Sequence, residues 1–214
     1  MKTYLFDFDG TLVDSMPAYV GVMMRILDEN NIAHDKSIVK IITPLGFVGT
    51  AKYYREVMGV KMPEDELIAT MHRYAYDEYA YNIPAKSNVI DVLKKLKENG
   101  AALNVLTASP HATLDPCLKR LGIFDLFCNV WSCEDFGTTK SDPEIYRMAA
   151  EKMGTTVDKV LFLDDNYNAD KTAKSAGMKV CGVYDDSSAE YTDEIKEVSD
   201  FYINDFSELI DIDF

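Results

Sequence analysis

The feature that most constrains the fold is an apolar segment at the start of the chain that runs directly into two aspartates. Residues 4–8 are apolar or aromatic except for Asp7, which is typical of a strand buried on both faces of a parallel sheet. Gly10 follows Asp9, and a glycine allows a sharp turn that brings backbone N–H groups close to a ligand. Two carboxylates at the end of a buried strand are unfavourable unless something pairs with them. A divalent cation is the natural partner, because hard cations bind carboxylate and phosphate oxygens.

The sequence over residues 7–15 reads DFDGTLVDS. It resembles the first motif of the haloacid dehalogenase-like hydrolases, whose usual form is DxDGT followed by Leu or Val. Within that family the chain is similar to the phosphoglycolate phosphatase and β-phosphoglucomutase branch, whose members carry a helical cap. The resemblance implies an α/β core that binds Mg²⁺ and transfers phosphoryl groups. Three further segments of the sequence can be compared with the other motifs of the family.

The order of helical and strand patterns predicts a doubly wound α/β domain with an insertion. Between residues 16 and 84, apolar residues recur at helical spacing without an alternating strand pattern. From residue 85 onwards strands and helices alternate, which is typical of a mostly parallel sheet covered by helices. We therefore assign 1–15 and 85–214 to the catalytic core. We assign 16–84 to an all-helical cap, which we expect to lie over the strand ends.

Polar residues stand at the ends of several predicted strands. Thr107 ends the second strand, Asp164 and Asp165 end the fourth, and Lys140 lies in the loop after the third. Ligands of open parallel sheets bind at the carboxyl ends of the strands. We therefore expect these side chains to converge with Asp7.

The second and third motifs of the same family have counterparts around two of these residues. Thr107 resembles the Ser or Thr at a strand end that binds the phosphoryl group, and Ala108 after it can offer only a backbone N–H. Ser109 and the following proline are predicted to cap the next helix. KSDPEIY, beginning at Lys140, resembles the motif KPxPxxY with Ser141 in place of the first proline. The resemblance implies that Thr107, Ala108 and Lys140 bind phosphate.

The fourth, acidic motif of the family has its counterpart in LFLDDNYNAD. Asp165 takes the position of the principal metal ligand, and Asp164 stands where many members have glycine. Adjacent aspartates repel one another unless a cation is present. Asp170 lies where a carboxylate would orient the site.

The resemblance implies a specific chemistry for these residues. Asp7 attacks phosphorus and forms an aspartyl phosphate, which divides one difficult displacement into two steps. Asp9 donates a proton to the leaving oxygen and then accepts one from water. Mg²⁺ is bound by Asp7, by Asp165 and by the backbone carbonyl of Asp9, with Asp164 as a further candidate. The predicted enzyme is a phosphoric monoester hydrolase.

Four alternatives stay open at this point. A haloacid dehalogenase uses one attacking aspartate and no metal, and Asp9 and the acidic pair 164–165 argue against it. A phosphomutase of the same family has the same four motifs. A phosphonatase needs a cap lysine that forms a Schiff base, for which Lys52 and Lys61 are the candidates. The chain could also be a non-catalytic phosphate-binding or interaction protein, although all the catalytic residue types are present.

Composition limits the partners and the compartment. The chain has 22 basic and 36 acidic residues and a net charge of −14, so broad nucleic-acid binding is not expected. No apolar run approaches the roughly 18 residues of a membrane span, and no signal-peptide pattern is visible. The four cysteines form no CxxC pair, as expected for reduced thiols in the cytoplasm. We expect a small phosphorylated metabolite as the partner, and a monomer or weak homodimer.

Overall fold

The computed structural model describes residues 2–214, apart from the side chain of Pro44, and it divides into two compact units. Unit 1 comprises residues 2–14 together with Pro84–Phe214, and unit 2 comprises Ser15–Ile83. Met1, with which our predicted core begins, lies outside the described residues. Among the residues described, no helix is both long enough and apolar enough to span a membrane.

Unit 1 is built on a parallel sheet, which confirms the predicted fold class. Within residues 2–214 the sheet has six strands in the order β3-β2-β1-β4-β5-β6, and every neighbouring pair is parallel. The strands are β1 (Thr3–Phe6), β2 (Ala102–Thr107), β3 (Asn129–Ser132), β4 (Val160–Asp164), β5 (Lys179–Val183) and β6 (Phe201–Ile203). The chain builds one half of the sheet outwards from β1 and then returns to build the other half from β4. A sheet of this order has its switch point beside β1, where ligands bind at the carboxyl ends of the strands.

The two central strands are buried because their sequences are apolar apart from Thr3 and Asp164. Every residue of β1 and of β4 is buried. Phe6 pairs with Val105 of β2 on one side and with Leu163 of β4 on the other. This register brings the residue after Phe6 and the last residue of β4 to the same edge of the sheet.

Unit 2 is helical, as the sequence predicts. Its helices are α1 (Met16–Glu29), α2 (Ile38–Ile42), α3 (Gly46–Glu56) and α4 (Glu64–Tyr81). Two buried hydroxyls of the unit are paired: that of Tyr54 donates to the carbonyl of Met23 at 3.0 Å, and that of Thr50 to the carbonyl of Ile42 at 3.2 Å. These bonds connect α3 with α1 and α2.

The helices of unit 1 follow the strands in alternation. They are α5 (Val89–Glu98), α6 (His111–Arg120), α7 (Glu144–Lys152), α8 (Tyr167–Ala176) and α9 (Thr192–Val198). The ring of Tyr146 in α7 packs edge-on against Phe162 of β4, with 5.1 Å between the centroids. This contact lies in an apolar layer that α7 and α8 form against the sheet. Helices therefore enclose the strands, and the loops at their carboxyl ends hold the polar residues.

Candidate active site

Three carboxylates meet at the carboxyl edge of the sheet. Asp7 follows β1, Asp164 ends β4, and Asp165 follows it; one oxygen from each lies within 4.8 Å of the other two. All three residues are buried, with exposed fractions of 4%, 0% and 8%. The backbone N–H of Asp7 donates to the carbonyl of Leu163 at 2.8 Å, so strand pairing extends one residue beyond β1 and fixes Asp7 beside Asp164. The parallel sheet alone thus accounts for the meeting of these residues.

Lys140 is the cation that the structure places among these carboxylates. Its ammonium lies 2.5 Å from Oδ1 of Asp7 and 2.6 Å from Oδ2 of Asp164, and its side chain is 14% exposed. The hydroxyl of Tyr146 donates to the backbone carbonyl of Lys140 at 3.1 Å. Helix α7 therefore holds the loop from which this lysine reaches the site.

When ionised, the three carboxylates carry more negative charge than the ammonium of Lys140 neutralises. Burial raises the pKa of Asp7 to about 8, where Asp164 and Asp9 add to the rise and Lys140 opposes it. Burial, followed by the charges of Asp164 and Asp7, raises the pKa of Asp165 well above its ordinary value. Burial alone would lower the pKa of Lys140, but the two carboxylates hold it well above its usual value. Three acids around one ammonium suit a divalent cation, since hard cations prefer carboxylate oxygens.

The turn after Asp9 is shaped to fit Asp165. The hydroxyl of Thr11 donates to Oδ1 of Asp165 at 3.2 Å. Gly10 has a φ of +77°, and a Cβ added there would lie 2.6 Å from Oδ2 of the same aspartate. Only glycine fits this position. Thr11 lies inside the DFDGTLVDS motif, but the motif alone did not predict this contact.

Asp9 and Thr107 are joined through Ser109. The hydroxyl of Ser109 donates to Oδ2 of Asp9 at 2.5 Å, and its N–H donates to the hydroxyl of Thr107 at 3.0 Å. The prediction that Ser109 caps the next helix is wrong, because α6 begins at His111 after Pro110 and the Ser109 side chain bonds Asp9 instead. Ala108 is exposed at the strand end between the two hydroxyl residues.

Beyond this strand end lies a histidine between two carboxylates. Nδ1 of His111 is 2.8 Å from Asp115, and Nε2 is 2.8 Å from Asp135. A ring that donates from both nitrogens must carry both protons. Hydrogen bonds to Asp115 and then Asp135 accordingly raise the pKa of His111.

Asp170 in α8 is a fourth acid in the same region. It is fully buried, and neither carboxylate oxygen has a hydrogen-bond partner among the residues that the structure describes. Burial, with Asp164 and Asp165, raises its pKa well above the ordinary value. A carboxyl in these surroundings is stable as the neutral acid or near a cation. This orphaned acid and the neighbouring cluster both fit a site that takes a metal ion.

Lys86 is a further cation near the turn at Gly10 that was not predicted from the sequence. The ammonium of Lys86 lies 2.6 Å from the carbonyl oxygen of Gly10, 2.5 Å from that of Tyr184 and 3.0 Å from Oδ2 of Asp185. No motif in the sequence marks this lysine, since its partners are between 76 and 99 residues away along the chain.

The chain belongs to the haloacid dehalogenase-like hydrolases, whose sequence model matches residues 1–177. The predicted family is thereby confirmed, and the protein is a hydrolase of that family. The fold, a parallel α/β core with a helical insertion, is the one found in the branch with a helical cap.

Two named relatives and one solved structure are similar to this chain over most of its length. Pyrophosphatase PpaX from Bacillus velezensis is 28% identical over 180 residues, which cover 84% of this chain and 81% of that protein. Phosphoglycolate phosphatase from Haemophilus influenzae is 28% identical over 216 residues, which cover 97% and 96%. Among solved structures, a predicted phosphoglycolate phosphatase from Haemophilus somnus has a TM-score of 0.82 at 23% identity, covering 99% of this chain and 97% of that one. This structural likeness shows the fold.

Proposed function

We propose that the protein is a Mg²⁺-dependent phosphatase that hydrolyses a small phosphorylated metabolite through an aspartyl phosphate on Asp7. The observation that carries this proposal is the buried group of Asp7, Asp164 and Asp165, with Lys140 bonded to two of its members. Relatives named phosphatases and pyrophosphatases support the same class of reaction. A dehalogenase would have no use for the second and third carboxylates.

Asp7 acts as the nucleophile in this mechanism. Burial raises its pKa to about 8, so without a further cation most of it is protonated at neutral pH and is a poor nucleophile. Lys140 holds one oxygen of Asp7, which fixes the orientation of the carboxylate for attack on phosphorus. Additional positive charge beside Asp7 would therefore favour its ionised form at neutral pH.

Asp7, Asp164, Asp165 and the backbone carbonyl of Asp9 are the groups that would hold Mg²⁺. When bound, the ion favours the ionised form of Asp7 and reduces the repulsion between its carboxylate and the phosphate. Asp165 is fixed for this task by the hydroxyl of Thr11. Asp164 is fixed from two sides, since Oδ2 contacts Lys140 and Oδ1 accepts from a backbone N–H at 2.8 Å.

Asp9 acts as the acid and then as the base. Its carboxylate is held by the hydroxyl of Ser109, so its direction is defined before a substrate binds. Proton donation to the leaving oxygen matters most for esters with poor leaving groups. Thr107, Ala108 and Lys140 bind the phosphoryl oxygens, where charge must be accommodated during transfer.

The experiment that tests this proposal measures phosphate release from a panel of small phosphate esters with Mg²⁺ and with EDTA. We expect turnover only with Mg²⁺. Asp7→Asn should lower kcat by more than about a hundredfold, which is about 2.7 kcal/mol of transition-state stabilisation. Asp125→Asn, an exposed position near the amino end of β3, is the matched control and should have the wild-type rate.

Two results would contradict the proposal. One is full activity in EDTA, which would remove the metal from the mechanism. The other is folded Asp7→Asn that keeps more than about a hundredth of the rate, which would remove the nucleophile. Acid quenching during turnover of a ³²P-labelled ester supplies a direct measurement, since wild type should retain label that hydroxylamine releases and Asp7→Asn should retain none.

A further inference from the structure

Lys86 makes three contacts that use its whole hydrogen-bonding capacity. Its acceptors are the carbonyl oxygens of Gly10 and Tyr184 and the carboxylate of Asp185, all between 2.5 and 3.0 Å. An ammonium group has three N–H donors and accepts nothing, so these contacts saturate it. The side chain is 19% exposed, and a lysine this well covered is unusual unless its charge is paired. Lys86 is thus committed to the protein and is unsuited to be a phosphate ligand.

The main chain of Lys86 binds the same segment as its side chain. Its backbone N–H donates to the carbonyl of Leu12 at 3.0 Å, and the N–H of Asp14 donates to the carbonyl of Pro84 at 3.0 Å. The segment after Asp9 also closes on itself, since Gly10 N–H donates to the carbonyl of Val13 at 2.9 Å. The bond from the Lys86 ammonium to the Gly10 carbonyl adds a third contact between residues 84–86 and this segment.

The position of Gly10 matters for the residues on either side of it. Gly10 packs so closely on Asp165 that no Cβ fits between them. It stands between Asp9, whose carboxylate is bonded by Ser109, and Thr11, whose hydroxyl binds Asp165. A shift of the Gly10 peptide would therefore change the direction in which the Asp9 carboxylate points.

We propose that Lys86 is a positioning residue that acts through the Gly10 carbonyl to aim the Asp9 carboxylate at the leaving group. The expected effect of Lys86 on proton transfer rests on the proposed function. Its structural role, which is to hold the turn at Gly10, rests on the contacts alone. The lysine would thus have a role in proton transfer without contact to the substrate.

The charge of Asp185 allows the positioning role of Lys86 to be distinguished from an electrostatic effect of Lys86 on the carboxylate cluster. Asp185 lies 3.0 Å from the ammonium, so the pair adds little net charge near the carboxylate cluster. Lys86→Met removes one positive charge and leaves Asp185, which would strengthen the attraction for a divalent cation. A loss of proton transfer with no loss of Mg²⁺ affinity is consequently the signature of positioning.

The kinetic test compares Lys86→Met with Lys2→Met on two esters. Lys2 is the matched control because its ammonium also bonds a carbonyl, that of Ile212 at 2.7 Å, and contacts Asp213 at 3.1 Å, but at the amino end of β1. For Lys86→Met we expect kcat to fall about tenfold on an alkyl phosphate and less than about threefold on p-nitrophenyl phosphate, whose leaving group needs no proton. Lys2→Met should match wild type on both esters.

Two further measurements do not depend on turnover. Amide hydrogen exchange at Gly10, Leu12 and Val13 should be faster in Lys86→Met than in wild type, and unchanged in Lys2→Met, because the bonds of the turn open more often. The Mg²⁺ dissociation constant from calorimetry should be no weaker than in wild type. Lys86→Gln keeps one donor for the Gly10 carbonyl, so its exchange in the turn and its rate on the alkyl phosphate should both lie closer to wild type than those of a variant without the donor. It tests the proposal if Lys86→Met does not fold, since a selective loss on the alkyl phosphate with unchanged exchange in the turn would overturn the positioning role.

Equal losses on the two esters, or Mg²⁺ binding weakened by more than about tenfold, would overturn the positioning role, since cation loss affects every substrate. Unchanged exchange in the turn would overturn it as well. Failure of the proposed function has a different appearance. In that case wild type would hydrolyse neither ester with Mg²⁺, while exchange in the turn would still decide whether Lys86 holds it.

Discussion

Replacing Lys140 with Met tests the charge balance of the cluster. The change removes an ammonium that lies 2.5 Å from Asp7 and 2.6 Å from Asp164. At an effective dielectric constant of about 20, each contact corresponds to about 6 kcal/mol of Coulomb attraction. Desolvation of the buried lysine offsets much of this, and loss of one partner from a buried pair lowers stability by about 3–5 kcal/mol. We therefore expect the free energy of unfolding at pH 9 in EDTA to fall by about 3 kcal/mol.

The pH dependence of this loss has a definite sign. The pKa of Asp7 is raised to about 8, so the unfolded chain releases this proton at a lower pH than the folded protein does, and stability falls as the pH rises from the ordinary aspartate pKa towards 8. Without Lys140 the pKa of Asp7 rises further, and the difference from wild type grows above pH 8. The loss should consequently be smaller at pH 6 than at pH 9.

Urea unfolding followed by the fluorescence of the single tryptophan, Trp131, measures the effect with EDTA and with Mg²⁺. Mg²⁺ supplies the missing positive charge, so it should stabilise Lys140→Met more than wild type without restoring turnover. Lys174→Met is the control, because Lys174 pairs with Asp200 on the surface, where the side chains are 44% and 31% exposed. Its effect should stay below about 1 kcal/mol. Wild-type stability of Lys140→Met in EDTA, or an equal response of both proteins to Mg²⁺, would refute the reasoning.

Two further changes test single contacts. Gly10→Ala should lower the free energy of unfolding by more than about 2 kcal/mol and weaken Mg²⁺ binding in calorimetry, because its Cβ would overlap Asp165 and its φ is positive. Gly122→Ala, with a φ of +70° and open space around it, should show the smaller effect of backbone strain alone; equal effects would contradict the overlap. His111→Gln should reduce stability by about 1 kcal/mol below pH 6.5, and the difference should vanish as the pH rises through the raised pKa of His111. A stability difference that is constant with pH in urea unfolding would show that the ring charge has no part in it.

The convergence of the site was predictable from the sequence because it follows from the sheet. Asp7, Thr107 and Asp164 stand at the ends of apolar runs, and the carboxyl ends of parallel strands share one edge whatever the loops do. The strand Val160–Asp164 was predictable in the same way, since its residues before the aspartate are all apolar and the structure buries every one. The position of a residue at the end of a predicted strand therefore predicts which edge of the sheet it lies on.

Contacts between distant segments were not predictable. Ser109 before a proline has the local pattern of a helix cap, but Asp9 competes for its hydroxyl from 100 residues away. The residues around Lys86 do not indicate its role. Two of its acceptors are backbone carbonyls, which every residue has, so the sequence cannot show which of them a lysine will bind. The geometry of the turn at Gly10 was equally hidden, since the sequence permits a positive φ at glycine without requiring it.

The charges of the site affect how an anionic substrate and a cation would bind there. With all groups ionised, the carboxylates of Asp7, Asp164 and Asp165 and the ammonium of Lys140 sum to three negative charges and one positive charge. A phosphate dianion approaching this cluster is repelled, and the net charge of −14 on the chain adds to the unfavourable field. One divalent cation would cancel the remaining two negative charges, and the cluster would then be neutral. The apparent affinity for a phosphorylated substrate should then increase with Mg²⁺ concentration, and by linkage the substrate should raise the affinity for Mg²⁺ by the same factor.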